Sequence, residues 1–236
     1  YFISQEMAGV RAFHITPPTQ QPKAESDGDP VHWINASGNA YVEILPDTRR
    51  NHGEKLIPGV NYTNLPGKLA VLNYKVHFNT PSRYYVWVRA YSTGSEDNGL
   101  HVGIDGEWPE HGQRLQWCAG KHSWWWESKQ RTQEKHCGVP HEIYIDVPTA
   151  GEHVISFSMR EDGFEFDRWI MTQDRDFRRP ADAGPVAVIK SGKSPVFDVP
   201  RGDDGDGSVS VESDKKWHPV TLTQKGPFAH EQYDLL

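Results

Sequence analysis

Tyr84–Gly106 reads YYVWVRAYSTGSEDNGLHVGIDG. Tyr84, Val86, Val88 and Ala90 alternate with Tyr85, Trp87, Arg89 and Tyr91, the two-residue period that sends successive side chains to opposite faces of a strand. Further on, Leu100, Val102 and Ile104 share a face opposite His101 and Gly103, and Asp105-Gly106 ends the segment as a turn. Outward from this pair the pattern recurs. Leu69–Phe78 predicts a strand before the turn at Asn79-Thr80-Pro81. Ile143, Ile145 and Val147 alternate with Tyr144 and Asp146, and Ile155, Phe157 and Met159 oppose Ser156, Ser158 and Arg160. No long segment repeats apolar residues at helical steps with caps at both ends. Short strands between turn residues predict an all-β antiparallel β-sandwich, a jelly roll. The outward set Trp87, Arg89, Tyr91, His101, Ser158 and Arg160 describes either an aromatic, basic groove or an ordinary solvated sheet face.

The 236 residues carry a net charge of −7, and 36% are hydrophobic, yet 9 are Trp, 9 Tyr and 9 Phe. Aromatics therefore supply much of the apolar surface. The negative charge argues against an electrostatic grip on nucleic acid or on anionic membrane, and no run approaches the ~20 apolar residues that span a bilayer. Three consecutive tryptophans, Trp124, Trp125 and Trp126, stand among Lys121, His122, Ser123, Glu127, Lys129 and Arg131. An indole beside hydrogen-bonding groups suits the apolar face of a pyranose ring, so this segment predicts glycan binding. Trp124 and Trp126 have the same parity and are expected to project together with Trp125 beneath them, and Trp117 is a further candidate.

Cys118 and Cys137 bracket the segment. They predict a disulfide closing a long polar loop, with two unrelated thiols as the alternative. A bridge implies a secreted, extracellular protein. With His122, His136 and His141 the cysteines lack the short spacing that marks a zinc site. The chain begins at Tyr1 with no initiator Met and no signal peptide, which reads as a processed or excised piece.

Along the chain, residues 1–30 read as an N-terminal extension, 31–178 as the jelly roll, 179–212 as a linker and 213–236 as a tail or the start of a small β domain. The acidic run Asp203-Asp204-Gly205-Asp206 lacks the glutamate an EF-hand loop requires and reads as solvated linker.

Tyr84–Gly106 and Gly151–Asp174, GEHVISFSMREDGFEFDRWIMTQD, together resemble family 6 and family 35 carbohydrate-binding modules, over roughly residues 41–174. The resemblance implies a β-jelly roll attached to a polysaccharide-degrading enzyme. It implies a sugar site in the loops at one end of the sandwich, where Asn98 and the turn Glu161-Asp162-Gly163 fall, with Arg89 or Arg160 bonding hydroxyls or pairing with sulfate or carboxylate. It further implies a structural calcium held by Glu43 and Asp167, although Leu45 stands where the family usually has a second acidic residue. Lys216–Thr223 with Gly226-Pro227-Phe228 resembles the small β domain that precedes a barrel-type hydrolase domain.

The expectation is a secreted, monomeric, non-catalytic carbohydrate-binding module. It would hold a glycoside hydrolase, the catalytic domain in cis, on its polysaccharide, for which an algal galactan such as agarose or porphyran is the guess. The competing expectation is an enzyme working in the jelly-roll groove. A lyase would use Tyr91 or His101 as base with Arg89 and Arg160 on a uronate. A hydrolase would draw two carboxylates from Glu161, Glu165 and Asp167. A protein-adhesion sandwich with exposed tryptophans is a third.

Overall fold

The computed structural model describes residues 30, 32, 34–37, 41–45 and 47–184, with the backbone of four further short strands. In chain order the strands are β1 (Phe2–Ser4), β2 (Ala12–Thr16), β3 (Tyr41–Leu45), β4 (Val71–Phe78), β5 (Ser82–Tyr91), β6 (Gly99–Ile104) and β7 (Leu115–Gln116). They continue with β8 (Trp125–Glu127), β9 (Tyr144–Val147), β10 (Gly151–Met159), β11 (Glu165–Thr172), β12 (Val196–Asp198) and β13 (Ser210–Glu212). Two antiparallel sheets form the sandwich, one ordered β1-β4-β10-β6-β7 and the other β2-β3-β11-β5-β8, with β9 also on β5. The all-β antiparallel sandwich expected from the alternation is the fold observed. Strands β1 and β2 lie in the stretch set apart as an extension, and β12 pairs β13 inside the stretch read as linker. Residues 213–236 and the acidic run at 203–206 lie outside the described residues.

The core forms where the inward faces meet. Val86, Val88 and Ala90 of β5, Leu100 and Val102 of β6, and Ile155 and Phe157 of β10 are all fully buried. Each aliphatic or aromatic side chain taken from water contributes about 1.5–3 kcal/mol, which makes this two-residue alternation the main source of stability.

The outer faces are covered, not open, where the sequence allowed a groove. Trp87 packs edge-on against His141 and Phe177. Arg89 lies under residues 35–37, its Nη2 donating to the Asn35 carbonyl at 3.1 Å. On the other sheet the loop at 63–67 closes over β6 and β10: His101 Nε2 donates to the Thr63 carbonyl at 3.2 Å, and the Gly67 amide donates to Ser158 Oγ at 2.8 Å. Loop carbonyls and amides thereby satisfy polar groups that a buried sheet face would otherwise leave unpaired. Cys118 and Cys137 are bonded, as expected, with Cα atoms 5.4 Å apart.

Candidate functional site

The tryptophan strand shows what the exposed-indole expectation missed. In register, Trp125 pairs Ala90 and Trp126 pairs Arg89, so Trp125 turns to the core side and Trp126 to the outer face, in agreement with the predicted parity. Exposure differs. Trp126 is only 1% accessible, with Nε1 donating to the Asp182 carbonyl at 2.8 Å. Gly184, at φ +78°, comes so close over it that a Cβ there would sit 2.8 Å from the indole. Trp124 is half-buried and donates from Nε1 to the carbonyls of His32 and Ile34, both at 3.1 Å. Trp125 packs under Arg179, whose Cζ stands 3.6 Å from the ring centroid. Trp117 is fully buried, edge-on to Phe164 and bonded to the Trp125 carbonyl. Open indoles were expected at Trp124 and Trp126, with Trp117 as a further candidate; instead Trp117 and Trp126 are buried and Trp124 is half-buried. Residues 32, 34–37 and 179–184 lie where a sugar was expected.

Around Arg89 the structure gathers a buried polar cluster. The register of β11 shifts between Phe166 and Arg168, a bulge that re-aims Asp167. Asp167 accepts from the Arg89 guanidinium and from the Ser37 amide and hydroxyl, at 2.9 and 3.1 Å. Burial raises its carboxyl above the ordinary range, and the bond from Arg89 opposes that. Glu43 pairs in register with Glu165, which is 2.5 Å from His32 Nδ1. Burial lowers His32 to about 4, so its ring is neutral at pH 7 and acts there as a hydrogen-bond donor. These residues do not fit the calcium site that the resemblance implied. Both Asp167 oxygens already accept bonds, one from a cationic guanidinium, whereas calcium takes six to eight oxygen ligands. Among the described residues no group of three or more His, Cys, Asp and Glu side chains comes together to hold a metal.

A cleft of about 590 Å³ opens elsewhere, at one end of the sandwich, lined by Tyr62, Arg114, Gln130, Arg131, His136 and Arg160 among others. Its floor holds several of the carried-over residues. Arg160, 2% accessible, donates to Glu161 Oε1 at 2.5 Å and to Gln116 Oε1 at 3.4 Å. Gln116 donates to Asn98 Oδ1 at 2.6 Å, and the Asn98 amide donates to Glu161 Oε2 at 3.0 Å. Asn98, Arg160 and Glu161 are thus one buried network beneath the cleft. Asp162 points away, accepting from the Thr48 amide and hydroxyl, both at 2.7 Å.

The walls come from the disulfide loop. The Arg131 amide donates to the Arg114 carbonyl at 2.8 Å, and Arg114 Nε donates back to the Arg131 carbonyl at 3.1 Å. Arg114 adopts φ +60°, a left-handed conformation few non-glycine residues take. Its amide donates to Nδ1 of fully buried His101 at 3.3 Å. Arg114 also pairs with Glu110, and Arg160 stands 5.2 Å from the Tyr62 ring. His136, within the loop, titrates below its usual value mainly because of the nearby Arg131 charge. Sequence reading missed Tyr62, Arg114, Arg131 and His136 as a group. The signal present was the polar composition of the loop between the cysteines, which was credited to its tryptophans.

The groove chemistries find no shared location. Arg89 and Tyr91 belong to one sheet, whereas His101 lies in the other and Arg160 directly follows that sheet's β10. His101 is held near 3 by burial and bonded on both ring nitrogens. Glu161, Glu165 and Asp167 are engaged with Arg160, His32 and Arg89, respectively, and do not face one another across a cleft.

Comparison with known proteins gives a consistent setting. The chain is 55% identical over 195 residues to an uncharacterized protein, P23, of Formosa agariphila, an alignment covering 83% of this chain and 47% of that protein. The chain thus spans about half the length of this curated relative. No solved structure matches. Nothing in the comparisons singles out family 6 or family 35 binding modules. The description "Glycosyl hydrolase family 115 C-terminal domain" matches residues 29–186, a span that takes in the cleft, the disulfide loop and the segment under Trp126, and the chain belongs to that family.

Proposed function

We propose that this chain is a non-catalytic accessory domain that binds polysaccharide in the cleft between Tyr62 and the disulfide loop, holding a glycoside hydrolase to its polymer. The observation that carries this reading is the cleft itself. It is preformed, large enough for a sugar segment, and lined by one aromatic ring with guanidinium and amide groups that bond hydroxyls. A catalytic domain in cis, which the family membership supports, action outside the cell, which a disulfide favours, and a polymer of the galactan type are further parts of the proposal.

The test is retention on a polysaccharide panel that includes agarose and porphyran, with reducing ends and unsaturated products measured in parallel. Retention without product release is expected. Gln133→Trp, at an exposed lining residue, should abolish retention, whereas Trp124→Ala should leave it intact. Product release by the purified chain, or retention indifferent to Gln133→Trp, would overturn the proposal.

A further inference from the structure

We infer that His153 is a proton-operated clasp, shut when both of its ring nitrogens carry hydrogen, which fastens the turn crossing between the two sheets to the turn that ends β6. The clasp stands whether or not the cleft is the glycan site.

The strands set the imidazole between two acceptors. β9 belongs to one sheet and β10 to the other, so residues 148–150 between them carry the chain across the sandwich. His153 follows on β10, on the inward face with Ile155 and Phe157, and is 7% accessible. Its Nδ1 is 2.6 Å from Oδ2 of Asp105, in the turn after β6. Its Nε2 is 3.0 Å from the Thr149 carbonyl, in the crossing turn. A carboxylate and a carbonyl can only accept, so both bonds together need the doubly protonated ring. The carboxylate is itself held in place. Asp105 Oδ1 accepts from the Val154 amide, and the Asp105 amide donates to the Val154 carbonyl, both at 2.8 Å.

Losing a proton changes the partner. The carboxylate keeps the hydrogen on Nδ1, so Nε2 gives up its own, and its lone pair then faces the Thr149 carbonyl oxygen. The Thr149 hydroxyl, 3.2 Å from Nε2, can donate to the neutral ring instead. The clasp thus has two states, carbonyl-bonded when charged and hydroxyl-bonded when neutral.

The surroundings favour the charged state. Val76 stands opposite His153 in register, and the Phe78 ring meets it edge-on at 5.9 Å. Glu152 and His77 pair with each other, and Lys75 pairs with Val154, positions whose parity is that of the opposite face of the sheet. Asp146 of β9 is engaged with Arg83, and Glu107, beyond Asp105 in the same turn, is exposed. The bond to Asp105 is the main reason that His153 titrates above the ordinary 6.5; burial opposes it and the Thr149 carbonyl adds to it. The folded ring therefore holds its proton more tightly than the unfolded chain does. The clasp's contribution to stability is whole below pH 6.5 and is lost as pH rises through the folded value. This sign is opposite to that of a histidine buried neutral. Asp105 also begins the stretch 105–114, whose Glu110 and Arg114 line the cleft.

Long-range proton–nitrogen NMR of the labelled chain reads both ring nitrogens, and through-bond correlation to the His153 backbone assigns them without a variant. Both should carry hydrogen at about pH 6, with a titration midpoint above 6.5 and Nε2 the first to lose its proton. Asp105→Asn should bring the midpoint down to 6.5 or lower. Thr149→Val, which withdraws the hydroxyl that serves the neutral ring, should raise it. The difference in denaturation midpoint between wild type and His153→Gln should shrink from about pH 6 to about pH 9. A wild-type midpoint at or below 6.5, or Nδ1 losing its proton first, would overturn the inference with no variant needed. So would a midpoint unmoved in Asp105→Asn, one lowered in Thr149→Val, or a stability difference that fails to shrink.

Discussion

The tryptophan strand and one wall of the arginine cleft lie within one covalently closed loop and use opposite chemistry for opposite ends. Trp124, Trp125 and Trp126 are the most conspicuous residues in the sequence, and each is spent on the chain's own residues: His32 and Ile34, Arg179, and Asp182 with Gly184. Arg131 and His136 look like ordinary solvated loop residues, yet they wall a cavity. The difference teaches that apolar area on a polar background announces a demand for cover without saying what supplies it. Polar groups that wall a cavity announce a demand that the fold itself has not met.

Trp126→Ala should give the largest effect. Truncating a fully buried tryptophan costs about 3–5 kcal/mol, read as a lowered denaturation midpoint, with any protein that remains folded still binding polymer. A loss of binding at unchanged stability would reverse the roles assigned to the two regions. Removing the disulfide as Cys118→Ser with Cys137→Ser should come next, at about 3 kcal/mol for a separation of 19 residues. Here the comparison sharpens, because Arg131 and His136 lie inside the loop. Binding should fall before melting is complete.

The fold was legible because a buried face repeats along a strand. Val86, Val88 and Ala90, then Leu100 and Val102, announce their side by periodicity alone, and all of them are core. Parity even placed Trp125 opposite Trp126. What covers an outer face was not legible. That depends on segments such as 32–37, 63–67 and 182–184, which reach it from far along the chain and meet it through main-chain carbonyls that any sequence carries. The buried floor of Asn98, Arg160 and Glu161 was reached through a family resemblance, while the wall at Arg114 and Arg131 depends on a backbone turn that no spacing rule foretells.

His101 connects the fold to the cleft wall and gives the third effect. Its neutral tautomer donates from Nε2 to Thr63 and accepts at Nδ1 from the Arg114 amide; a proton on Nδ1 would face that amide donor to donor. Its folded value lies near 3, below the ordinary 6.5, so below pH 6.5 the unfolded chain binds the proton first. Stability is therefore present above pH 6.5 and is lost as pH falls toward 3, at up to about 1.4 kcal/mol per pH unit. Between pH 6.5 and 5, His101 alone should contribute about 2 kcal/mol of the lost stability, read as a correspondingly flatter denaturation profile in His101→Gln than in the wild type, in which His32 also titrates. Equal slopes would remove His101 as the link. The smallest effect belongs to Arg131→Gln, which should alter stability by no more than about 0.5 kcal/mol. A larger penalty would mean that the guanidinium has a structural partner.

Both flanks of the sandwich converge on the run Trp124–Trp126, His32 and Ile34 on Trp124 and Asp182 on Trp126, and this run lies within the loop sealed by Cys118 and Cys137. Tension applied to either flank is thus borne by indole N–H bonds on a strand that a covalent ring keeps from peeling away. On the proposed reading, a module gripping an immobile polymer beside a moving catalyst is pulled through these two segments, and both are moored to the same post.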